Sequence, residues 1–340
     1  MAGRFASLDA MRGLAVLFML EVHLGYWWAR GLPAGNPLVE AGTILGGMAA
    51  PVFLVLGGAG LAISRSREPG GFLKRSAVRG AALLAAGVVF TFLEQAVYGP
   101  FGWGVLQCIG LSILMCAPLL GLPRQWREIL GIGLLASAMF VRGLLGVPDV
   151  LYSDQMQAVD SAAAYLRNVL VSGFFPLLPW LGFMMLGTAA GDRAALSGGK
   201  GGRWDIAGFS LPALLLLAGA LLAARGLRPE FFPPSLSFSF LACGIVLLAI
   251  PAFLAADAGR AGPLAGLGRI SLTVFISHHL IGFEAFRALG RLHTFDLPSA
   301  LVMVLASWAL ALGAARAWAG ADYRWSLEWA ISRAARPSSK

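Results

Sequence analysis

Ser7-Leu8-Asp9-Ala10-Met11-Arg12-Gly13 runs into the apolar segment 14–20 and then into Glu21-Val22-His23. An otherwise lipid-compatible helix thus carries ionisable side chains near its middle, where each is expensive enough to read as functional by default. At 100° per residue the steps from Arg12 to His23 amount to about three turns, so both side chains project from one face, roughly 16 Å apart along the axis. Asp9 lies on nearly the same face. Glu21 is about 200° away from His23, so it needs a partner on another helix. The plainer reading is a set of polar contacts that lock helices together.

Working outward, the chain has 340 residues, is 58% hydrophobic and only 13% charged, with 44 Gly and a mean hydropathy of +0.76. This is the composition of an all-α, polytopic integral membrane protein. Ten spans are expected, at 11–28, 41–63, 76–97, 103–121, 128–146, 171–190, 206–224, 236–255, 269–288 and 298–318. With both termini cytoplasmic, 19 of the 26 Lys and Arg fall on the inner side and 7 on the outer. That bias follows the positive-inside rule, supports an even number of spans and accounts for the +9 charge without nucleic acid. The first apolar segment ends in Tyr26-Trp27-Trp28, an interfacial aromatic group, and reads as a retained helix rather than a cleaved signal. Residues 1–320 read as one transmembrane domain and 321–340 as a cytoplasmic tail, in which Trp325, Leu327, Trp329 and Ile331 among basic residues suggest a helix lying on the inner membrane surface.

Most loops are short. The outer segment 147–170, with Pro148, Asp149, Tyr152, Asp154 and Asp160, is the largest external feature. The inner stretch Ser197-Gly198-Gly199-Lys200-Gly201-Gly202-Arg203 lacks P-loop spacing and reads as a flexible linker. Gly187 and Gly191 have the GxxxG spacing of close helix packing. Cys108, Cys116 and Cys243 fall in spans without CxxC spacing and read as small core residues.

Three features can carry chemistry. His23 and His278 are expected at similar depths, and histidine is the side chain best suited to proton transfer near neutral pH. His278 and adjacent His279 should point about 100° apart, so only one of them is expected to share a cavity with His23. The inner loop 64–79 holds Arg65, Arg67, Lys74, Arg75 and Arg79, enough cations to bind the phosphates of a nucleotide-like cofactor. Positive-inside bias and anionic lipid would explain the same cations, and composition does not separate the two. Glu94, Gln95 and Gln107 near outer span ends, Glu284 in the ninth span and Glu21 suit hydrogen bonding to sugar hydroxyls or amines, or the solvation of an entrance. Pro176 and Pro179 mark an irregular start to the sixth span, so Trp180 beside them is a candidate cavity-lining residue. No metal is expected, since adjacent His278 and His279 do not readily chelate one ion.

The run from Leu8 to Ala15 with Met19 and His23, the segment 51–58, Gly104-Val105-Leu106-Gln107, Phe175-Pro176-Leu177-Leu178-Pro179-Trp180 and Leu267-Gly268-Arg269 with His278 together resemble heparan-α-glucosaminide N-acetyltransferase-like membrane proteins. The spacing from Arg12 to His23 is also similar to that of the acyltransferase-3 family. The resemblance extends over most of the chain, up to about residue 280, while the last forty residues look more like another bacterial membrane family. It implies an acyltransferase that takes an acyl group, acetyl above all, from cytoplasmic acyl-CoA and delivers it to a carbohydrate or glycolipid at or beyond the outer face, in a bacterial inner membrane. His23 would then be the catalytic histidine, with Asp9, Arg12 and His278 assisting. Arg12, Arg65, Arg67, Lys74, Arg75 and Arg79 would hold the CoA phosphates, and Glu21, Glu94, Gln107, Trp180, His279 and Glu284 the acceptor. The competing classes are a proton-coupled transporter or flippase, with Glu21, His23 and Glu284 as a relay, and a non-enzymatic scaffold. Whether the chain acts alone or as a homo-oligomer is left open.

Overall fold

The structure, a computed structural model, describes residues 5–94, 99, 101–148, 159–196, 206–256 and 262–335. Gln95, the outer-loop residues Asp149, Tyr152 and Asp154, and the linker 197–203 lie outside the described residues. The protein is all-helical, and among the described residues the only extended pairing is an isolated bridge between Ala29 and Phe295. It divides into a terminal unit, residues 1–53 with 256–333, and a central unit containing residues 54–255.

The chain runs through α1 (Ala6–Trp28), α2 (Pro37–Gly47), α3 (Ala49–Arg67), α4 (Phe72–Leu93), α5 (Val105–Leu119) and α6 (Arg124–Leu144). Next comes α7 (Ala162–Arg167), continued by a π-helical turn at Asn168–Ser172, then α8 (Leu177–Leu196), α9 (Ile206–Ala224) and α10 (Leu236–Ala255). The C-terminal part holds α11 (Gly262–Arg269), α12 (Ser271–His278) running into a π-helix at His279–Ala285 and a last turn at Phe286–Ala288, α13 (Leu297–Ala319) and α14 (Leu327–Ala334).

Four of these stretches are long and apolar enough to cross a membrane: 37–67, α4, α10 and α13. Two bent pairs, α7 with α8 at 45° and α11 with the segment from Ser271 at 70°, raise the number to six if each is one broken span. The other four windows expected from sequence fall on α1, α5, α6 and α9. The apolar helices of α5 and α9 are shorter than a full span, and α1 and α6 are not among those that qualify. Polar residues are the reason for α1, which includes Asp9, Arg12, Glu21 and His23.

Lipid offers no hydrophobic drive for helices to associate, so close backbone approach through small residues takes its place. In the central unit, α8 lies on α3 through glycine. A Cβ at Gly187 would stand 2.1 Å from the Val55 carbonyl oxygen, and one at Gly191 2.4 Å from that of Ala59. The GxxxG reading is therefore a packing seam. In the terminal unit, α1 crosses α11 the same way, with Gly13 against the Leu264 carbonyl at 2.0 Å and Gly268 against the Asp9 carbonyl at 1.9 Å. This crossing sets how the upper half of α1 meets α12.

The 70° break between α11 and α12 exposes backbone amides that a continuous helix would have paired. Glu328 at the start of α14 satisfies them. Its Oε1 accepts from Leu272 N at 2.5 Å and Thr273 N at 3.2 Å, and its Oε2 accepts from Thr273 Oγ1 at 2.7 Å. The Arg269 guanidinium stacks over the Tyr323 ring, 4.1 Å from its centroid. The tail expected to lie on the membrane surface is thus fastened to the broken span by one side chain of its helix.

Candidate active site

His23, about three-quarters of the way along α1, is half-buried, whereas His278 and His279 are buried. His23 Nδ1 lies 2.9 Å from His278 Nε2, and the two rings stack with centroids 5.2 Å apart and planes 9° apart. His279 meets His23 edge-on at 5.5 Å, with its ring inclined 69° to that of His23. Both members of the adjacent pair therefore contact His23, contrary to the expectation that only one would. The π-helix begins at His279, and its wider turn changes the angular step between successive side chains. Such turns occur often at functional sites, and Gly282 within this one accepts the Trp28 indole N–H at 2.8 Å. Trp27 closes one side, its ring 4.8–5.6 Å from all three imidazoles.

The hydrogen bonds fix the tautomers of the two stacked rings when both are neutral. The Val274 carbonyl, 3.2 Å from His278 Nδ1, can only accept, so Nδ1 carries the proton and Nε2 is left as an acceptor. His23 Nδ1 must then donate to it. That leaves a lone pair on His23 Nε2, the outermost nitrogen of the chain and the one on the half-buried ring. A backbone carbonyl and one histidine thus orient a second histidine, the arrangement an oriented general base requires, with a carbonyl in place of a carboxylate.

The remaining candidates divide by unit. In the terminal unit Arg12 Nη1 donates to Asp9 Oδ1 at 2.9 Å, three residues back on α1. Glu21 does not join the histidines. It faces α2, where a Cβ at Gly42 would fall 2.2 Å from its Oε1, and it lines a small cavity with Tyr26, Thr43 and Leu301. Glu284 is held by Arg287 at 2.9 and 2.5 Å.

In the central unit Gln107 is used internally. Its Nε2 donates to Thr91 Oγ1 at 2.6 Å and to Gly102 O at 3.4 Å, and its Oε1 accepts from Gly104 N at 3.2 Å. One amide donor thereby joins α5 to α4, and the other ties α5 to the turn that precedes it. Glu94 is fully buried at the end of α4. Trp180 is fully buried among Phe175, Phe183, Phe231 and Phe238. In the inner loop Arg65, Arg67 and Lys74 are exposed, whereas Arg75 donates to the Gly70 carbonyl at 2.6 Å and to that of Glu68, which shapes the loop itself. The three cysteines are buried free thiols.

Sequence reasoning missed Trp27 as a wall of the histidine cluster and Glu328 as the cap of α12. The four-residue spacing from His23 to Trp27 was the available signal for the first, while the second depends on contacts between residues 55 and 56 positions apart. Among the described residues, the Nδ1 or Nε2 atoms of His23, His278 and His279 also lie within 4.8 Å of one another. That grouping departs from the expectation that His278 and His279 would not converge.

Comparison with known proteins adds two findings. Residues 201–333, which include His278 and His279, match a family described as "Protein of unknown function (DUF418)". That match begins far upstream of the last forty residues expected to differ. No curated protein matches the chain. Residues 4–221, which include Asp9, Arg12, His23 and the inner basic loop, match the family model described as "Heparan-alpha-glucosaminide N-acetyltransferase, catalytic", and with about two-thirds of its length so covered, this integral membrane protein belongs to that acetyltransferase family.

Proposed function

We propose that the protein is an acyl-CoA-dependent acyltransferase, with acetyl-CoA as donor and a sugar hydroxyl or amine at or beyond the outer face as acceptor. The supporting observation is the chain from the Val274 carbonyl through His278 to His23, which leaves His23 Nε2 as a base on a half-buried ring. In the proposed step His23 Nε2 takes the proton of the acceptor hydroxyl or amine as that atom attacks the thioester carbonyl carbon. The tetrahedral intermediate collapses, the carbon–sulfur bond breaks, and the departing thiolate takes the proton back from His23. We assign His278 to orienting His23, and His279 to meeting the carbonyl oxygen as it gains charge. Arg12, paired with Asp9, stands about 16 Å below His23 on α1, near the extent of a pantetheine arm. Arg65, Arg67, Lys74 and Arg79 are assigned to donor phosphates, and Glu21, Glu284 and Trp180 to the acceptor path. Arg75, Gln107 and Glu94 fit holding the fold better than contacting substrate.

The same proposal treats residues 1–320 as one catalytic domain with ten spans, cytoplasmic termini and a bacterial inner-membrane location. The test is acetyl-CoA turnover by the purified protein in detergent, wild type beside His23→Ala and Arg12→Ala. A general base contributes about 10²- to 10⁴-fold, so His23→Ala should lose that much turnover while remaining folded. A folded His23→Ala that still turns over acetyl-CoA at the wild-type rate would overturn the assignment.

A further inference from the structure

We infer that the cluster of His23, His278 and His279 is also a binding site for a borderline divalent transition ion such as Zn²⁺, and that occupation of this site switches the base off. Three observations support this. One nitrogen from each ring lies within 4.8 Å of the other two, so the three converge without any long chain rearrangement. The pair His23 Nδ1 and His278 Nε2, at 2.9 Å, is already close to the roughly 3.3 Å that two imidazole nitrogens span on one tetrahedral Zn²⁺ with bonds of 2.0–2.1 Å. His278 also gives its other ring proton to the Val274 carbonyl, the outer contact that orients most metal-binding histidines and fixes their tautomer.

The donor set decides the class of ion. Three imidazoles suit Zn²⁺, Cu²⁺ or Ni²⁺ and are poor ligands for Mg²⁺ or Ca²⁺, which require oxygen. Three protein ligands leave a fourth position for water, as in zinc sites that are open rather than purely structural. The ligands are neutral, so binding itself removes no side-chain charge, and the Trp27 ring beside all three imidazoles presents a π-face to the cluster.

The switch follows from the tautomers. In the metal-free chain His23 Nδ1 carries the proton shared with His278, and Nε2 holds the reactive lone pair. An ion between Nδ1 of His23 and Nε2 of His278 takes the place of that proton, which moves to His23 Nε2. His23 stays neutral, but its outward nitrogen becomes a donor and no longer accepts a proton. This second part rests on the acyltransferase reading; the ion site itself does not.

The experiment uses full-length protein in detergent, stripped with EDTA, dialysed against ZnCl₂ and counted for bound zinc, with Co²⁺ as a spectroscopic probe. One Zn²⁺ per chain is expected, with affinity falling at least about tenfold in His279→Ala and in His278→Ala, and with intense four-coordinate Co²⁺ absorption that both variants lose. Circular dichroism establishes that each variant is folded. No bound ion on folded wild type, or binding that neither substitution weakens, would overturn the site. If zinc binds as expected but does not inhibit acetyl-CoA turnover by an otherwise active protein, the switch is overturned and the site stands. Absence of turnover in every metal state would instead count against the acyltransferase reading, leaving the binding result intact.

Discussion

Gly268→Ala tests whether the crossing of α1 and α11 sets the histidine geometry. An ideal Cβ at Gly268 would stand 1.9 Å from the Asp9 carbonyl oxygen, 2.8 Å from its carbon and 2.9 Å from Gly13 N. These are backbone atoms of a helix and have no rotamer to escape into. To reach even 3.0 Å, the shortest contact real Cβ atoms tolerate, the two helices must part by roughly 1 Å. A gap of that size forfeits about a quarter to a half of the dispersion attraction along the seam. The cost belongs at the upper end of the ~1–3 kcal/mol found for overpacking. His23 sits ten residues beyond Gly13 on α1, and His278 ten residues beyond Gly268, past the break and on α12. Their 2.9 Å bond has about 0.6 Å to spare before it ceases to be a hydrogen bond. Thermal unfolding in detergent, read beside acetyl-CoA turnover, should show both falling. Gly133→Ala is the control: nothing lies within 4 Å of its Cβ, and alanine should gain up to about 1 kcal/mol of helix propensity. A Gly268→Ala protein as stable and active as wild type would refute the reasoning.

The other predictions concern single contacts. His278→Asn removes the acceptor for His23 Nδ1 and should lower turnover with little change in the apparent KM for acetyl-CoA; a change confined to KM would count against an orienting role. Glu328→Ala leaves the amides at the start of α12 uncapped and should cost about 1–2 kcal/mol, with hydrogen exchange rising at Leu272 and Thr273; protected amides in that variant would show that α14 is dispensable there. Asp192→Ala removes the carboxylate partner of the buried Arg127 guanidinium, which keeps Thr188 and the Leu122 carbonyl, and should destabilise by ~1–3 kcal/mol, whereas Glu284→Gln, in an exposed pair with Arg287, should cost under ~1 kcal/mol. Asp296 caps α13 and its carboxyl is held below the ordinary value by hydrogen bonds from the Ser299 side chain and backbone. A lowered carboxylate stabilises the fold above its unfolded value and loses that contribution as pH falls through the folded one, so the protection of Ser299 N, its exchange rate relative to that of an unstructured amide at the same pH, should fall on acidification in wild type and stay constant in Asp296→Asn.

The sequence by itself determined the class of molecule and which helix carries ionisable residues within an apolar run. Hydropathy pointed to a helical membrane protein, because a helix pairs the backbone amides of an apolar run within its own segment. Periodicity alone put Arg12 and His23 on one face of α1, and GxxxG spacing marked α8 as a close-packing helix, which the contacts of Gly187 and Gly191 with α3 bear out. Residue identity was also enough to single out His23, because an ionisable group in an apolar run is costly wherever the chain goes. What tertiary structure decided was partnership. Ideal helical geometry separated His278 from His279 by 100°, yet a π-helix and a 70° break bring both against His23, and neither distortion leaves a local sequence signal. Gln107 near a span end suits hydrogen bonding to a sugar; that its amide also reaches Thr91 is settled only by how α4 meets α5, while its bonds to Gly102 and Gly104 are local. Spacing along the chain fixes which face a side chain occupies, while the occupant of the opposite face depends on helices far away in sequence, and the chemistry of His23 depends on that occupant.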